Sequence, residues 1–516
     1  MPRKYRILLA IVVVVAALGW NQWQRHRPAA DDDTGRAAGP AKPATAVPVS
    51  RRSYGSLVFE PCALSVPTGA SIEAQCTTLQ VPEDAAAPKG RAIALNIAWL
   101  PAKEESNAAE DPVFFLAGGP GQSAVQSYPQ LDPAFAELRK RRHVVLVDQR
   151  GTGKSNPLNC SVSDGGLEHE DDLATTLALT ETCRDTLSKK ADLRLYTTTE
   201  AVRDLDAVRT ALGVDAINLV GVSYGTRVAQ QYAMRHPQHT RSIVLDSVVP
   251  NTLVLGNIFA RNLDDALALQ FGQCQRDATC REKLGDPRGE LDTLLQTLRR
   301  DPPQVRYRDA ATGELAQTRL QASQVAGLVR MYAYMPTVAT LLPVLIHEAN
   351  QGRYESLTAL IHMLYGQLED AMAVGMQFSV VCSEDGDRIA ASASDAGTVL
   401  GNMLTDFMAA QCKVWPRGQV PDDFHRPLAT PVPALVLEGE YDPVTPPHYG
   451  EEVAATLPNG RLLVLRGQGH NVIGAGCMPK LFAQFVEKTD AKALDARCLD
   501  SLAYAQPFTS YNGWNP

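Results

Sequence analysis

Apolar and polar positions alternate in two textures along most of this chain. From about Thr77 onward, short apolar runs recur between longer stretches with helical periodicity. The runs are Thr78–Val81, Ile93–Leu100, Val113–Leu116, His143–Val147, Ile217–Val220, Ile243–Leu245, Ala434–Leu437 and Leu462–Leu465. Most are β-branched or Leu-rich and bounded by Gly, Pro or Asp, as strands covered on both faces are, because neither face needs polar residues. Between two of them, Val202, Leu205, Val208 and Leu212 share one helix face, with Thr199 as the expected N-cap and Gly213 as the stop. Strands alternating with helices predict an α/β fold, a mostly parallel eight-stranded sheet with helices on both faces. The rhythm breaks between about Pro250 and Pro427, where Asp264–Gln273, Glu290–Arg299, Gln324–Tyr334 and Thr337–Ala349 read as helices and no strand series is expected. Because the strand pattern resumes afterwards, this stretch is read as an inserted helical cap. The expected organisation is a core over 56–250, a cap over 251–427, and the second part of the core over 428–516.

Ahead of the core, Arg3, Lys4 and Arg6 precede an apolar run from Ile7 to Trp20, which stretches to Trp23 if Asn21 and Gln22 are tolerated. A basic flank and a short apolar stretch form the pattern of an export signal. Residues 1–23 are read as a signal peptide or as a signal anchor, the latter tethering the protein to a membrane through residues 7–23. Residues 24–55, rich in Ala, Pro, Asp and Arg, read as a flexible linker. Either reading puts the body in a periplasmic or extracellular compartment.

Composition sharpens this picture. The chain has 516 residues, with 49 Lys and Arg against 57 Asp and Glu, for a formal net charge of −8. Lacking a long basic run, it is not expected to bind nucleic acid. The 10 cysteines form no CxxC and no metal-ligand spacing with histidine, so no metal site is expected. They fall in neighbouring couples, and in an exported chain they are expected to form disulfides.

The chemistry is carried by three strand ends. Ile217–Gly225 reads INLVGVSYG, a strand running into G-x-S-x-G with Ser223 at its centre. A sharp strand-to-helix turn lifts such a serine above the sheet, and Gly221 and Gly225 remove side chains that would clash. A serine hydroxyl needs a base, and in this arrangement an acid and then a histidine follow at later strand ends. Ala434–Leu437 is followed by Glu438, Glu440 and Asp442; Leu462–Leu465 is followed by Gly467, Gly469 and His470. Asp442 and His470 are the expected partners, with Glu438 and Glu440 as rivals for the acid. Val113–Ser123 reads VFFLAGGPGQS, a glycine turn whose backbone N–H groups can meet an oxyanion. Gly119 and Tyr224 are the expected donors, with Gly118 as the alternative to Gly119.

Two other patterns are set aside. The stretch from Gly119 to Ala124 imitates a dinucleotide fingerprint, but Pro129 and Pro133 are expected to interrupt the helix it requires. Gly151–Ser155 imitates the end of a phosphate loop, but its first glycine would fall at Asp148 and no helix pattern follows. Epoxide hydrolase or dehalogenase chemistry would need Asp in place of Ser223.

Together these residues resemble the α/β-hydrolase superfamily, and within it the proline iminopeptidase and tripeptidyl aminopeptidase group of serine exopeptidases. The likeness rests on GGPG at 118–121, DQRGTGKS at 148–155, GVSYGT at 221–226, GEYDPVTP at 439–446 and GQGH at 467–470. It covers about residues 57–500 and is similar to the secreted branch in Cys62 and Cys76, in the cap, and in Cys477 and Cys498 of the TAP-like tail. Ala117 stands where many iminopeptidases have His, and Thr489–Arg497 lacks the Gly/Pro-rich form common in the branch. The resemblance and the clustering imply sequential disulfide pairing, and they imply that the DQRG stretch shapes the site floor.

The resemblance further implies an aminopeptidase acting on peptides through an acyl-enzyme, as a monomer without metal or organic cofactor. A carboxylesterase or amidase, and a non-catalytic binding protein, are the competing readings. An aminopeptidase must hold an α-ammonium, and Glu384 and Asp385 near the end of the cap are candidates; the competing reading of that pair is a solvated acidic turn.

Overall fold

The computed structural model describes residues 51–65, 71–160, 172–310, 312–368 and 372–514. The expected export segment and residues 24–50 of the linker lie outside them. Among the described residues the strands are β1 Arg52–Tyr54, β2 Leu57–Leu64, β3 Ile72–Pro82, β4 Ala92–Leu100, β5 Val113–Leu116, β6 Val144–Val147, β7 Ile217–Val222 and β8 Thr240–Asp246, then β9 Gln304–Arg308, β10 Leu315–Arg319, β11 Ala434–Gly439 and β12 Gly460–Leu465. Ten of them form one sheet in the order β1-β2-β3-β4-β6-β5-β7-β8-β11-β12, parallel from β6 through β12 and antiparallel on the other side.

All eight apolar runs lie in this sheet. Every residue of β5, β6, β7 and β11 is buried. Successive side chains go to opposite faces: Phe114, Val145 and Leu219 join one apolar cluster, Phe115, Leu146 and Val220 the other. Helix Thr198–Leu212 covers the first cluster with Val202, Leu205 and Val208. Helix Met478–Lys488 covers the second with Phe482 and Phe485. The sheet has two strands beyond the expected eight. They are β1, at the sheet edge, and β2 beside it, both half-exposed, and Arg52–Tyr54 pairs with Leu57–Phe59 although the linker was expected to reach residue 55.

Two local expectations are corrected. Ala124–Phe135 is a continuous helix despite Pro129 and Pro133. Ser123 caps it, and Tyr128 and Phe135 pack edge-on against each other and against Phe115, so tertiary packing overrides the local cost of proline. The helix before β7 is capped by Thr197, not Thr199, because Thr197 is the extended residue and its hydroxyl accepts from the Glu200 N–H. Gly213 ends that helix at φ +69°.

The insertion between β8 and β11 has two parts. The first builds its own apolar core from helices Phe259–Arg276, Pro287–Arg300, Ala322–Ala333, Leu342–Asn350 and Glu355–Leu368. It also contains a hairpin, β9 with β10, that helical periodicity did not anticipate. The second part, helices Val374–Glu384 and Met403–Val414, packs into the core cluster through Met376, Phe378, Val380 and Cys412.

The cysteines pair sequentially: Cys62–Cys76, Cys160–Cys183, Cys274–Cys280, Cys382–Cys412 and Cys477–Cys498. The last bridge joins the start of helix Met478–Lys488 to the turn Arg497–Ser501, across a separation of 21 residues. Replacing Cys477 and Cys498 with Ser is expected to cost about 3 kcal/mol, because the unfolded chain regains loop entropy. Thermal unfolding under non-reducing conditions checks this as a lowered Tm.

Candidate active site

Ser223 follows β7 at φ +54° and ψ −124°, and helix Tyr224–Arg235 starts at the next residue. A side chain in that region of backbone space costs about 1–3 kcal/mol and persists only where its surroundings enforce it. The enforcement is steric. A Cβ on Gly221 would come 2.3 Å from the Gly225 carbonyl oxygen, and one on Gly225 would come 2.2 Å from that of Leu116. Only glycine lets the turn close onto β5.

The glycine turn after β5 runs beside this serine. A Cβ on Gly118 would come 3.1 Å from Ser223 Cβ, and Gly119 takes φ +106°. Neither the Gly119 nor the Tyr224 N–H donates to an acceptor among the described residues, so both expected donors are free to bind an oxyanion. Asp148 anchors the turn from below. Its carboxylate accepts from the Ser123 hydroxyl, from Asn96 Nδ2 at 2.8 Å and from the Val125 N–H at 3.1 Å. Arg150 lies deeper, doubly bonded to Asp204 at 2.7 and 2.8 Å and to the carbonyls of Glu83 and Leu195. The DQRG stretch therefore braces the site from beneath.

Asp442 and His470 meet at the ends of β11 and β12. Asp442 Oδ2 lies 2.7 Å from His470 Nδ1, and Oδ1 accepts from the N–H groups of Val444 and Thr445. The rivals are engaged elsewhere: Glu438 accepts from the Val248 N–H, and Glu440 from the Gly467 N–H and the Tyr504 hydroxyl. Burial alone would depress the imidazole, but the charge and hydrogen bond of Asp442 outweigh it and hold His470 above its ordinary 6.5.

Asp246, which sequence reasoning missed, links these parts. Its carbonyl accepts from the Ser223 N–H at 2.9 Å. Its carboxylate accepts from the N–H groups of Val472 and Ile473, just past His470. Burial pushes that carboxyl up to about 6, against the pull of those two N–H groups. Its position at the end of an apolar strand was the only available signal.

Glu384 and Asp385 do not hold a substrate ammonium. Both side chains are fully buried against the equally buried Arg227, whose Nη1 lies 2.8 Å from Asp385 and 3.7 Å from Glu384. Nor are they a solvated turn: Glu384 also accepts from the Thr198 N–H, and Thr198 bonds the Tyr224 hydroxyl beneath the serine turn. Burial pushes Glu384 up to about 7.

The cap touches the site through Tyr334, also missed. The His470 N–H donates to the Tyr334 carbonyl at 2.9 Å, and the two rings meet edge-on at 5.1 Å. A Cβ on Gly469 would come 2.2 Å from that carbonyl, which explains the glycine before His470.

Arg227→Met would leave the buried Glu384 without a cation and Asp385 with only Arg388 at 3.5 Å, and a loss of about 3–5 kcal/mol in denaturant unfolding is expected. Glu384 binds its proton more tightly folded than unfolded. Its contribution is therefore full below about 4.5 and lost as pH rises through about 7. The stability of Glu384→Gln relative to the wild type should accordingly rise between pH 5 and 8 in urea titrations.

The family model described as alpha/beta hydrolase fold matches residues 111–281, and the one described as TAP-like protein matches residues 398–498. Serine protease Hip1 of Mycobacterium tuberculosis is 26% identical over 469 residues, covering 82% of this chain and 87% of that one. Tripeptidyl aminopeptidase of Streptomyces lividans is 28% identical over 218 residues, 40% of each chain. The crystal structure of proline iminopeptidase from Mycobacterium smegmatis shares 17% identity and a TM-score of 0.39, covering 81% of this chain and 100% of that one. The chain has the α/β-hydrolase fold, carries a region that matches the TAP-like model near its C-terminus, and is a serine hydrolase; the mycobacterial and streptomycete relatives it resembles are named as peptidases.

Proposed function

We propose that this is an exported serine peptidase that releases one or a few residues from the N-termini of peptides through an acyl-enzyme on Ser223. In this reading His470 takes the Ser223 proton as the hydroxyl attacks the peptide carbonyl, and Asp442 holds the imidazole tautomer and steadies the imidazolium. The N–H groups of Gly119 and Tyr224 receive the oxyanion. His470 then protonates the departing amine, and water attacks the acyl-enzyme by the reverse route.

The observation that carries the exopeptidase reading is the roof. The cap is hydrogen-bonded to the backbone of His470 itself, so a chain end fits beneath it more readily than the middle of a folded chain. End selectivity then comes from the roof rather than from Glu384 or Asp385, whose charge Arg227 takes up. The names of the relatives support the same class, and five disulfides suit an oxidising compartment. Residues 1–23 would direct export, as a cleaved signal or as an anchor.

Ser223→Ala is expected to lower kcat by about 10⁴-fold or more on tripeptidyl and aminoacyl anilides. Equal or greater turnover of short acyl esters, with no anilide or peptide cleavage by the wild type, would instead make it an esterase. A second test is the acid limb of kcat/KM. Protonated His470 is inactive, so the limb should have its midpoint above 6.5, and Asp442→Asn should move it lower.

A further inference from the structure

The large buried cations near the site are matched. Arg227 faces Asp385, and Arg150 faces Asp204. Arg330 is different. It lies on helix Ala322–Ala333, one turn before Tyr334, and is half-buried. Its guanidinium is held by aromatic rings: Cζ lies 4.6 Å from the Phe259 centroid and 5.9 Å from that of Tyr334. One N–H donates to the Tyr334 hydroxyl at 3.3 Å. Among the described residues no carboxylate pairs with it. None of its nitrogens is sealed off without a partner, so its remaining donors reach solvent.

Its location gives this free charge a use. The Tyr334 ring that Arg330 touches stands 5.1 Å from the His470 ring, so the guanidinium lies one aromatic side chain away from the catalytic base. There its positive charge opposes protonation of His470. A guanidinium whose remaining donors reach solvent beside the general base is open to an anion that arrives with the substrate. A planar guanidinium stacked on an aromatic face is pre-organised for a carboxylate, which it can bind through two parallel hydrogen bonds.

We propose that Arg330 is the receptor for a substrate carboxylate, so that the enzyme favours substrates carrying a negative charge close to the bond it breaks. The inference rests on Ser223 as the acylated residue. The carboxylate has two sources in a peptide: an acidic side chain next to the scissile bond, or the C-terminus of a short peptide. Arg330 acts here by binding, and it takes no part in proton transfer.

The test measures a selectivity ratio. The kcat/KM for mono-p-nitrophenyl adipate is divided by that for p-nitrophenyl hexanoate, a neutral chain of the same length, in the wild type, Arg330→Met and Arg330→Lys. The expected result is a ratio about tenfold or more lower in Arg330→Met, with partial recovery in Arg330→Lys, because one charge-assisted interaction is lost. An unchanged ratio, whatever happens to total activity, would overturn the proposal, since a merely structural arginine would lower both substrates together.

Two peptide pairs then identify the source: Ala-Ala-Glu against Ala-Ala-Gln anilides, and a free tripeptide against its amide. The pair whose discrimination Arg330→Met abolishes carries the relevant carboxylate. If neither pair is cleaved while the ester ratio falls, the peptidase reading fails and the carboxylate receptor stands.

Discussion

The end of β8 is the junction on which the site depends. Within two residues the chain bonds the turn after β7, the end of β11 and the loop after β12. The Asp246 carbonyl takes the Ser223 N–H, and the Ser247 N–H reaches the Leu437 carbonyl on β11. The Ser247 hydroxyl takes the Asn471 N–H, and the Asp246 carboxylate takes those of Val472 and Ile473. A carboxylate and a hydroxyl placed there satisfy backbone groups that would otherwise be buried and unpaired, each at a cost of about 1–3 kcal/mol. The serine turn and the histidine loop therefore share one fixed reference rather than two separate loops.

Charge is distributed around this junction by how easily each group can be paired. In a low-dielectric interior an isolated ion is costly, so Arg227 and Arg150 are each closed off by carboxylates and carbonyls. Their role is to hold elements together: Arg227 joins the serine helix to the insertion, and Arg150 joins the DQRG floor to helix Thr198–Leu212. Asp442 serves the same logic at the reactive end, where its partner is a histidine whose charge comes and goes. Arg330 stands outside this scheme, held by rings instead of an anion.

The insertion is both roof and wall. Its first part builds its own core and reaches the site through Tyr334, which bonds the backbone of His470, and through Asn262, which donates to the Val444 carbonyl beside Asp442. Its second part is embedded in the main core and carries Glu384 and Asp385 beneath the serine helix. His470 is therefore bounded on one side by a segment inserted between β8 and β11.

The sequence by itself determined the eight-run sheet, the serine turn, and the placement of Asp442 and His470. Those signals are local: a strand buried on both faces must be apolar throughout, and a turn in which a Cβ would come 2.3 Å from the carbonyl oxygen four residues on must use glycine. It did not determine the edge hairpin β1–β2, whose half-exposed pattern resembles a linker, nor the helix through Pro129, which exists because Tyr128 finds aromatic neighbours. Above all it left open what each buried charge faces. Glu384 and Asp385 look available in one dimension, and Arg227, more than 150 residues earlier, closes them off. Asp246, Tyr334 and Arg330 carry no motif. Their roles come from contacts between residues far apart in the chain, and only the tertiary structure decides those.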